Sequence, residues 1–460
     1  MKSETAIDRP AAGRAANSAS GVAGSVLSRV VVPVTAAVTT ILVGLVQLAV
    51  LNAWGARRDM AMREVLMQWD SLWMTMISEH GYSGFVMSPG DTDPVQWESV
   101  AFFPGYPMLL RAVAAPFQVL DVRDATYLAA VLLSGFCAVL MTWGVARLGL
   151  DMWSARSARS AQPVSDARAA GLTAAVGVLV AGAPMGIIYW MPYSESLFGA
   201  FTVWALVFMV RQRHLLAGLC VLGAGLTRLT AVTLVLVLCA AAAWQLWRYW
   251  RAGSAGSSDP SRPSRRSVLA AVAAPVIGVA GIGAYLGWAN RTVSEIGGYF
   301  AAQQKGWDSG FDAGAASFRW LTEHLFGPAS AGEEATGYAI AAWSMVLVGL
   351  LCVASLWPFV TRRIPWQVWA VAVLIAGMVL ASDGIMHSRP RLLLLPVVLL
   401  VLPFLVHIIA RVSGDTDGRR STRRAARVVG VVALVVAGVA WCVLGTWVSG
   451  EMLIDFRYAI

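Results

Sequence analysis

The sequence predicts an all-α protein that crosses a membrane many times, and three observations carry that prediction. Of its 460 residues, 58% are apolar and only 13% are charged, about half the charged share of an ordinary soluble domain. Apolar stretches recur at the roughly 20-residue length a helix needs to cross about 30 Å of hydrocarbon. Basic residues fall in short clusters between those stretches and always on the same side of the alternating spans, as the positive-inside rule requires.

Eleven spans follow from the apolar pattern: 31-53, 124-148, 170-189, 195-212, 215-227, 229-248, 268-289, 339-361, 365-382, 391-411 and 427-448. The first thirty residues are rich in Ala, Ser, Gly and Arg and read as a disordered cytoplasmic N-terminus. The apolar run that follows is too long for a signal peptide, so it is expected to stay in the membrane. Residues 31-460 then form a single transmembrane domain. Connections on the expected cytoplasmic side carry Arg156, Arg159 and Arg168; Arg211 and Arg213; Arg251, Arg262, Arg265 and Arg266; Arg362 and Arg363; and a run from Arg419 to Arg427. The net charge of +9 thus reads as a topology signal rather than a nucleic-acid surface.

Two large loops fall on the opposite, outer side. Residues 54-100, within a first outer loop at 54-123, hold three Arg against seven Asp and Glu, and residues 290-338 hold three basic against six acidic residues. Within the first, 61-80 has helical apolar spacing but carries Arg63, Glu64, Asp70, Glu79 and His80. It reads as an interfacial amphipathic helix with Trp69 and Trp73 at headgroup level. Residues 101-118, with three prolines, read as a bent surface helix. Basic clusters on both sides of 215-248 require an even number of crossings there, by two short helices meeting near Arg228 or by a re-entrant pair. Residues 252-264 read as a cytoplasmic linker. Cys137, Cys220, Cys239, Cys352 and Cys442 all sit in apolar segments, without disulfide or metal-type spacing.

Chemistry, if present, centres on Asp70. A carboxylate among apolar neighbours at an interface has its basicity raised by partial desolvation, as a general base needs, although a helix cap or a solvated helix residue has the same composition. Downstream come His80, Gly81, Tyr82, Asp91, Asp93 and Glu98, then Phe102, Phe103 and Tyr106. That aromatic run fits a sugar-contacting or prenyl-contacting wall, and equally an interfacial belt. Arg228, Arg389, Arg391 and Lys305 are the other charges at issue, and snorkelling or topology would account for any one of them. Glu195 opens a span just after Tyr193, where it could pair with an arginine or simply favour the helix dipole. The Asp91 and Asp93 pair is a weak divalent-ion signal, and no metal site is expected.

Trp69-Asp70 with His80-Gly81-Tyr82, followed by Ala101-Phe102-Phe103-Pro104-Gly105-Tyr106-Pro107, resembles the first-loop signature of the PIG-V-type mannosyltransferases. These are the second mannosyltransferase of GPI-anchor assembly and its bacterial relatives. Tyr193-Ser194-Glu195-Ser196-Leu197-Phe198 and Leu226-Thr227-Arg228 are similar to two further motifs of that family. Ala302-Gln303 with Trp307, and Arg389 with Arg391 before Leu395-Pro396, match more loosely.

The resemblance implies a GT-C-type glycosyltransferase with about eleven transmembrane helices and amphipathic helices in its first outer loop. It implies a polyprenyl-phosphate-mannose donor, no resident cofactor, and inverting transfer to an envelope glycolipid, lipoglycan or protein on the outer face of the plasma membrane. Asp70 would be the catalytic base. Arg228, Arg389, Arg391 and His80 would hold the donor phosphate. Trp69, Tyr82, Glu98, Phe103, Tyr106, Tyr193, Glu195 and Gln303 would line the substrate. The rival reading is a transporter or flippase of lipid-linked precursors, for which two similar halves would be expected; no internal repeat stands out.

Overall fold

The computed structural model describes residues 26–82, 86–87, 97–157, 164–254, 263–327, 334–413, 420–456 and 458. Residues 1–25 of the expected N-terminal tail, most of the 252-264 linker, and Asp91 and Asp93 lie outside them. In chain order the described helices are α1 (Val26–Ala56), α2 (Met62–Leu66), α3 (Asp70–His80), α4 (Gly105–Val119), α5 (Ala125–Ser157), α6 (Asp166–Ala181), α7 (Ser194–Val210), α8 (His214–Gly225) and α9 (Val232–Ser254). They continue as α10 (Arg265–Thr292), α11 (Tyr299–Trp307), α12 (Ala315–Leu325), α13 (Ala335–Ala354), α14 (Leu356–Val360), α15 (Trp366–Leu380), α16 (Arg389–Leu392), α17 (Leu394–Val412) and α18 (Arg420–Gly450). A two-residue ribbon pairs Val86–Met87 with Trp97–Glu98 in the first loop.

Helices stand at each of the eleven expected positions. Among the described residues, seven are long and apolar enough to cross a membrane; α7, α8 and α15 are shorter apolar helices. The α8 helix, with 12 residues, covers only about 18 Å. The expected 170-189 span stops at Ala181, and the chain continues through a turn to a short 3-10 helix over Gly186–Trp190. The 215-248 segment folds as two helices, α8 and α9, that meet at Arg228. The first helix also begins at Val26, so that it includes the last five residues of the stretch expected to be disordered.

The molecule is apolar outside as well as inside. Val34, Leu42, Val46 and Val50 on α1, and Val429, Val432, Val435 and Val439 on α18, are exposed. A soluble chain does not present such faces to water, whereas lipid covers them at no cost. The chain is a multi-pass membrane protein. Polar groups and small residues, rather than exclusion of water, then help join the helices. The α8 and α10 helices approach through Gly218, Gly225, Gly278 and Gly281, where a Cβ on Gly218 would meet the Ala274 carbonyl at 2.7 Å and one on Gly281 the Leu222 carbonyl at 2.5 Å. Thr40 on α1 bonds Thr142 on α5 at 2.9 Å.

Two segments of the first loop differ from expectation. Residues 61-80 do not form one interfacial helix: the chain breaks between α2 and α3 at Trp69, which holds φ 55 and ψ −116. Trp73 is buried rather than at headgroup level. It stacks on Phe102 at 5.4 Å and meets Trp307 edge-on at 6.0 Å, so protein from the second outer loop covers the apolar face of α3. Residues 105–119 form α4, whose Tyr106 and Leu110 are fully buried.

Candidate active site

Contacts across the chain sort the connections between helices into two groups, one at each end of the bundle. At one end the first loop meets the α8–α9 turn, with the Gly105 amide bonded to the Leu226 carbonyl at 2.6 Å. Only glycine fits there, since a Cβ would stand 2.7 Å from that oxygen. At the same end Tyr285, near the end of α10, donates to the carbonyls of Val100 and Phe102 at 2.8 and 2.6 Å. Residues 310–312 pair with 381–383, and Gln68 reaches the Leu453 carbonyl at 3.0 Å. The arginine-bearing turns meet one another at the opposite end, where Arg211 grips Asp151 through two bonds of 2.9 and 2.8 Å.

Four charged side chains converge at the first end. Asp70 opens α3 and Glu195 lies in the first turn of α7, so both carboxylates sit where helix dipoles favour negative charge. Arg391 donates to Asp70 at 2.5 Å and lies 3.3 Å from Glu195. Arg228, the extended residue between α8 and α9, is 2.9 Å from the same Glu195 oxygen and donates to Ser194 at 3.0 Å. The Arg391 guanidinium lies over the Tyr193 ring at 4.8 Å, and the Tyr193 hydroxyl donates to the Gln68 carbonyl at 3.2 Å. Two acids and two arginines therefore balance in a place where Arg391 and Glu195 are each only 8% exposed.

Burial, the largest influence on Asp70, pushes its carboxyl above the ordinary range; Arg391 opposes this, while the like charge of Glu195 adds to it. Among the described residues, the remaining Glu195 carboxylate oxygen and the Arg391 Nε find no partner, so the cluster keeps unused capacity for a polar ligand. Trp69, immediately before Asp70, holds a backbone conformation outside the regions open to a bulky side chain. Such strain costs about 1–3 kcal/mol and persists only where surrounding contacts enforce it.

Two spaces flank the cluster. A small cavity of about 30 Å³ lies against Glu195, Arg228, Arg391, Tyr189, Phe198 and Thr230, room for about one water. A wider cleft of about 530 Å³ opens beside Trp69, lined by Arg58, Glu64, Gln68, Trp69, Leu72 and Leu453. Its size is that of small-molecule sites.

Among the sequence candidates, the structure brings together Asp70, Arg228, Arg391, Tyr193 and Glu195, with Trp69 at the edge. Arg389 is buried but elsewhere: it donates to the Ser382 carbonyl at 2.5 Å and more distantly to that of Asp383, holding the 381–384 turn that leads into Arg391. His80 lies at the far end of α3, exposed beside Glu79 at 3.9 Å. Lys305 is exposed on α11. Tyr82, Phe103 and Gln303 belong to a neighbouring aromatic wall: Tyr82 donates to the Phe102 carbonyl at 2.8 Å, Phe103 packs on Tyr285 at 4.4 Å, and Gln303 donates to the Ala101 carbonyl at 2.8 Å. Tyr106 is bonded to Ser134 at 2.7 Å inside the bundle. Glu98 is half-buried at the end of the small ribbon. Sequence reasoning passed over Tyr285, Trp288 and Tyr299, which complete that wall, and the 451–456 segment that closes over Gln68; no local pattern marks them. Among the described residues, no group of three or more His, Cys, Asp or Glu is arranged to hold a metal ion.

No family model and no curated protein matches this sequence. Among solved structures, it is similar to the apo oligosaccharyltransferase of Archaeoglobus fulgidus, at 11% identity and TM-score 0.46 over 92% of this chain and 56% of that one. It is also similar to the A. fulgidus oligosaccharyltransferase AglB in complex with an inhibitory peptide and a dolichol-phosphate. That likeness has 9% identity and TM-score 0.45 over 90% of this chain and 56% of that one. The chain thus spans little more than half the length of either.

Proposed function

We propose that the chain is an inverting, GT-C-type mannosyltransferase of the PIG-V kind. It would move mannose from a polyprenyl-phosphate-mannose donor to an envelope glycolipid, lipoglycan or protein hydroxyl on the outer face of the membrane. The observation that carries this reading is the pairing of Asp70 with Arg391 and, through Glu195, with Arg228, at the bundle end away from the arginine-rich turns. It combines a desolvated base with two cations held ready for a leaving phosphate.

In this reading, Asp70 takes the proton of the acceptor hydroxyl as that oxygen bonds to the anomeric carbon, and a carboxyl of raised pKa suits the task. The anomeric carbon–oxygen bond to phosphate breaks, and the electron pair leaves with the polyprenyl phosphate. Arg391 and Arg228 stabilise the charge that accumulates there. Glu195 holds both guanidinium groups in place, and Tyr193 supports Arg391 from below. Because the cavity at the arginines accommodates about one water, donor binding must draw Arg391 away from Asp70, which at once frees the base and supplies the phosphate with a cation. The cleft beside Trp69 is where the acceptor would approach, with the indole as a stacking face. Nucleotide-sugar chemistry is not needed by a site that opens among membrane helices.

The experiment is to incubate membranes containing the protein with radiolabelled polyprenyl-phosphate mannose and fractionated envelope acceptors. Label should pass to an acceptor from the lipid donor. Equal labelling from a nucleotide sugar in polyprenol-free membranes would overturn the donor assignment.

A further inference from the structure

At the end of the bundle opposite Asp70, three arginines gather with no carboxylate paired to them among the described residues. Arg156, near the end of α5, donates through Nη2 to His407 Nδ1 at 2.8 Å, and Arg363, in the turn after α14, donates through Nη1 to the same nitrogen at 3.1 Å. An imidazole nitrogen that accepts from two guanidinium groups carries no proton, so His407 is neutral there and adds no counter-charge. Arg411, exposed one turn further along α17, is the third cation on that face. Among the described residues, no Asp or Glu forms an ion pair with Arg156, Arg363 or Arg411, although Arg211 nearby has Asp151. Among the described residues, the buried Nη1 of Arg156 has no partner. Arginines crowd in this way where an anion joins them, and a phosphate, with its several acceptor oxygens, matches guanidinium forks best.

The surroundings favour a lipid as the carrier of that phosphate. Arg363 lies over the Trp357 ring at 4.1 Å, and Trp357 meets His407 edge-on at 5.4 Å. Trp357, Val353, Leu356 and Val360 are all exposed, forming an apolar strip on α13 and α14 that leads along the bundle toward the cations. Tryptophan at such a place marks the level of the headgroups. We propose that Arg156, Arg363 and Arg411 bind the phosphate of an anionic phospholipid, whose acyl chains lie on the Val353–Val360 strip. Basic pockets between helices at a membrane face are suited to this task.

The test uses the full chain purified from a mixture of phosphatidylcholine and phosphatidylglycerol, with retained lipid counted by native mass spectrometry. The wild type should retain phosphatidylglycerol selectively, and Arg156→Gln combined with Arg363→Gln should lower that retention by about tenfold or more. Arg411→Gln, at an exposed position where misfolding is not at issue, should lower it severalfold. Arg265→Gln with Arg266→Gln, equal in charge but on α10, should leave it unchanged. Equal retention by all variants would overturn the site. Calorimetric titration with inorganic phosphate separates the sources: binding of free phosphate without lipid enrichment would overturn the lipid assignment.

Discussion

At the end of the bundle that carries Asp70, two arginines share two carboxylates, with Glu195 and Arg391 buried and Asp70 and Arg228 partly so. At the other end, two arginines lean on one neutral imidazole, with a third on the same helix, and aromatic and aliphatic side chains lie exposed alongside. The balanced cluster tolerates burial because each charge has its partner built in, and a buried pair left half-broken costs several kcal/mol. The unbalanced one stays where headgroups and water can reach it. Arginine therefore reports two kinds of environment in one molecule, distinguishable only by what stands opposite.

The sharpest way to break the comparison is chemical. Asp70→Asn keeps the size of the side chain and removes the base, so transfer from the lipid donor should fall by about 10²–10⁴ while the protein still inserts and purifies. Arg391→Gln leaves Asp70 without its cation and should lower stability by about 3–5 kcal/mol. Arg363→Gln at the other end should shift it by less than about 1 kcal/mol, because Arg363 has no ion pair among the described residues. Thermal unfolding of both variants in one detergent reads the contrast directly.

The pH profile sharpens the assignment of the base. Since burial raises Asp70's pKa in the folded protein, activity should fall as pH drops through a value above the ordinary carboxylate range near 4. Above that value Asp70 is ionised and active; below it the carboxyl is protonated and cannot accept. The residual rate of Asp70→Asn should lack this limb. Gly105→Ala, which places a methyl against the Leu226 carbonyl, should cost about 1–3 kcal/mol and raise KM for the donor through displaced Arg228. The smallest effect belongs to Asp151→Asn at the opposite end, where a partly exposed ion pair is worth about 1 kcal/mol or less.

Much of this contrast is legible in the sequence, because the apolar lengths place the helices and the arginine-rich turns set the alternation. Asp70, Glu195, Arg228 and Arg391 are also legible, as charges at the borders of apolar segments where a helix rarely keeps one without a partner. Arg389 and Arg391 look equivalent in sequence, yet residues two apart on a helix face away from each other, so one braces a turn while the other meets Asp70. The apolar face of α3 is visible as a periodicity, but periodicity does not say what covers it. Trp307, more than two hundred residues later, replaces the expected lipid headgroups. Likewise the strained Trp69 and the closing of 451–456 over Gln68 arise from contacts between distant segments, which no local pattern encodes.

The most direct measurement is a structure of the protein in lipid with polyprenyl phosphate bound. The phosphate should lie within hydrogen-bond reach of both Arg228 and Arg391, with Arg391 released from Asp70 and the Asp70 carboxylate facing the cleft beside Trp69. A phosphate seated elsewhere, with the Asp70–Arg391 contact intact, would contradict a transferase centred on that pair.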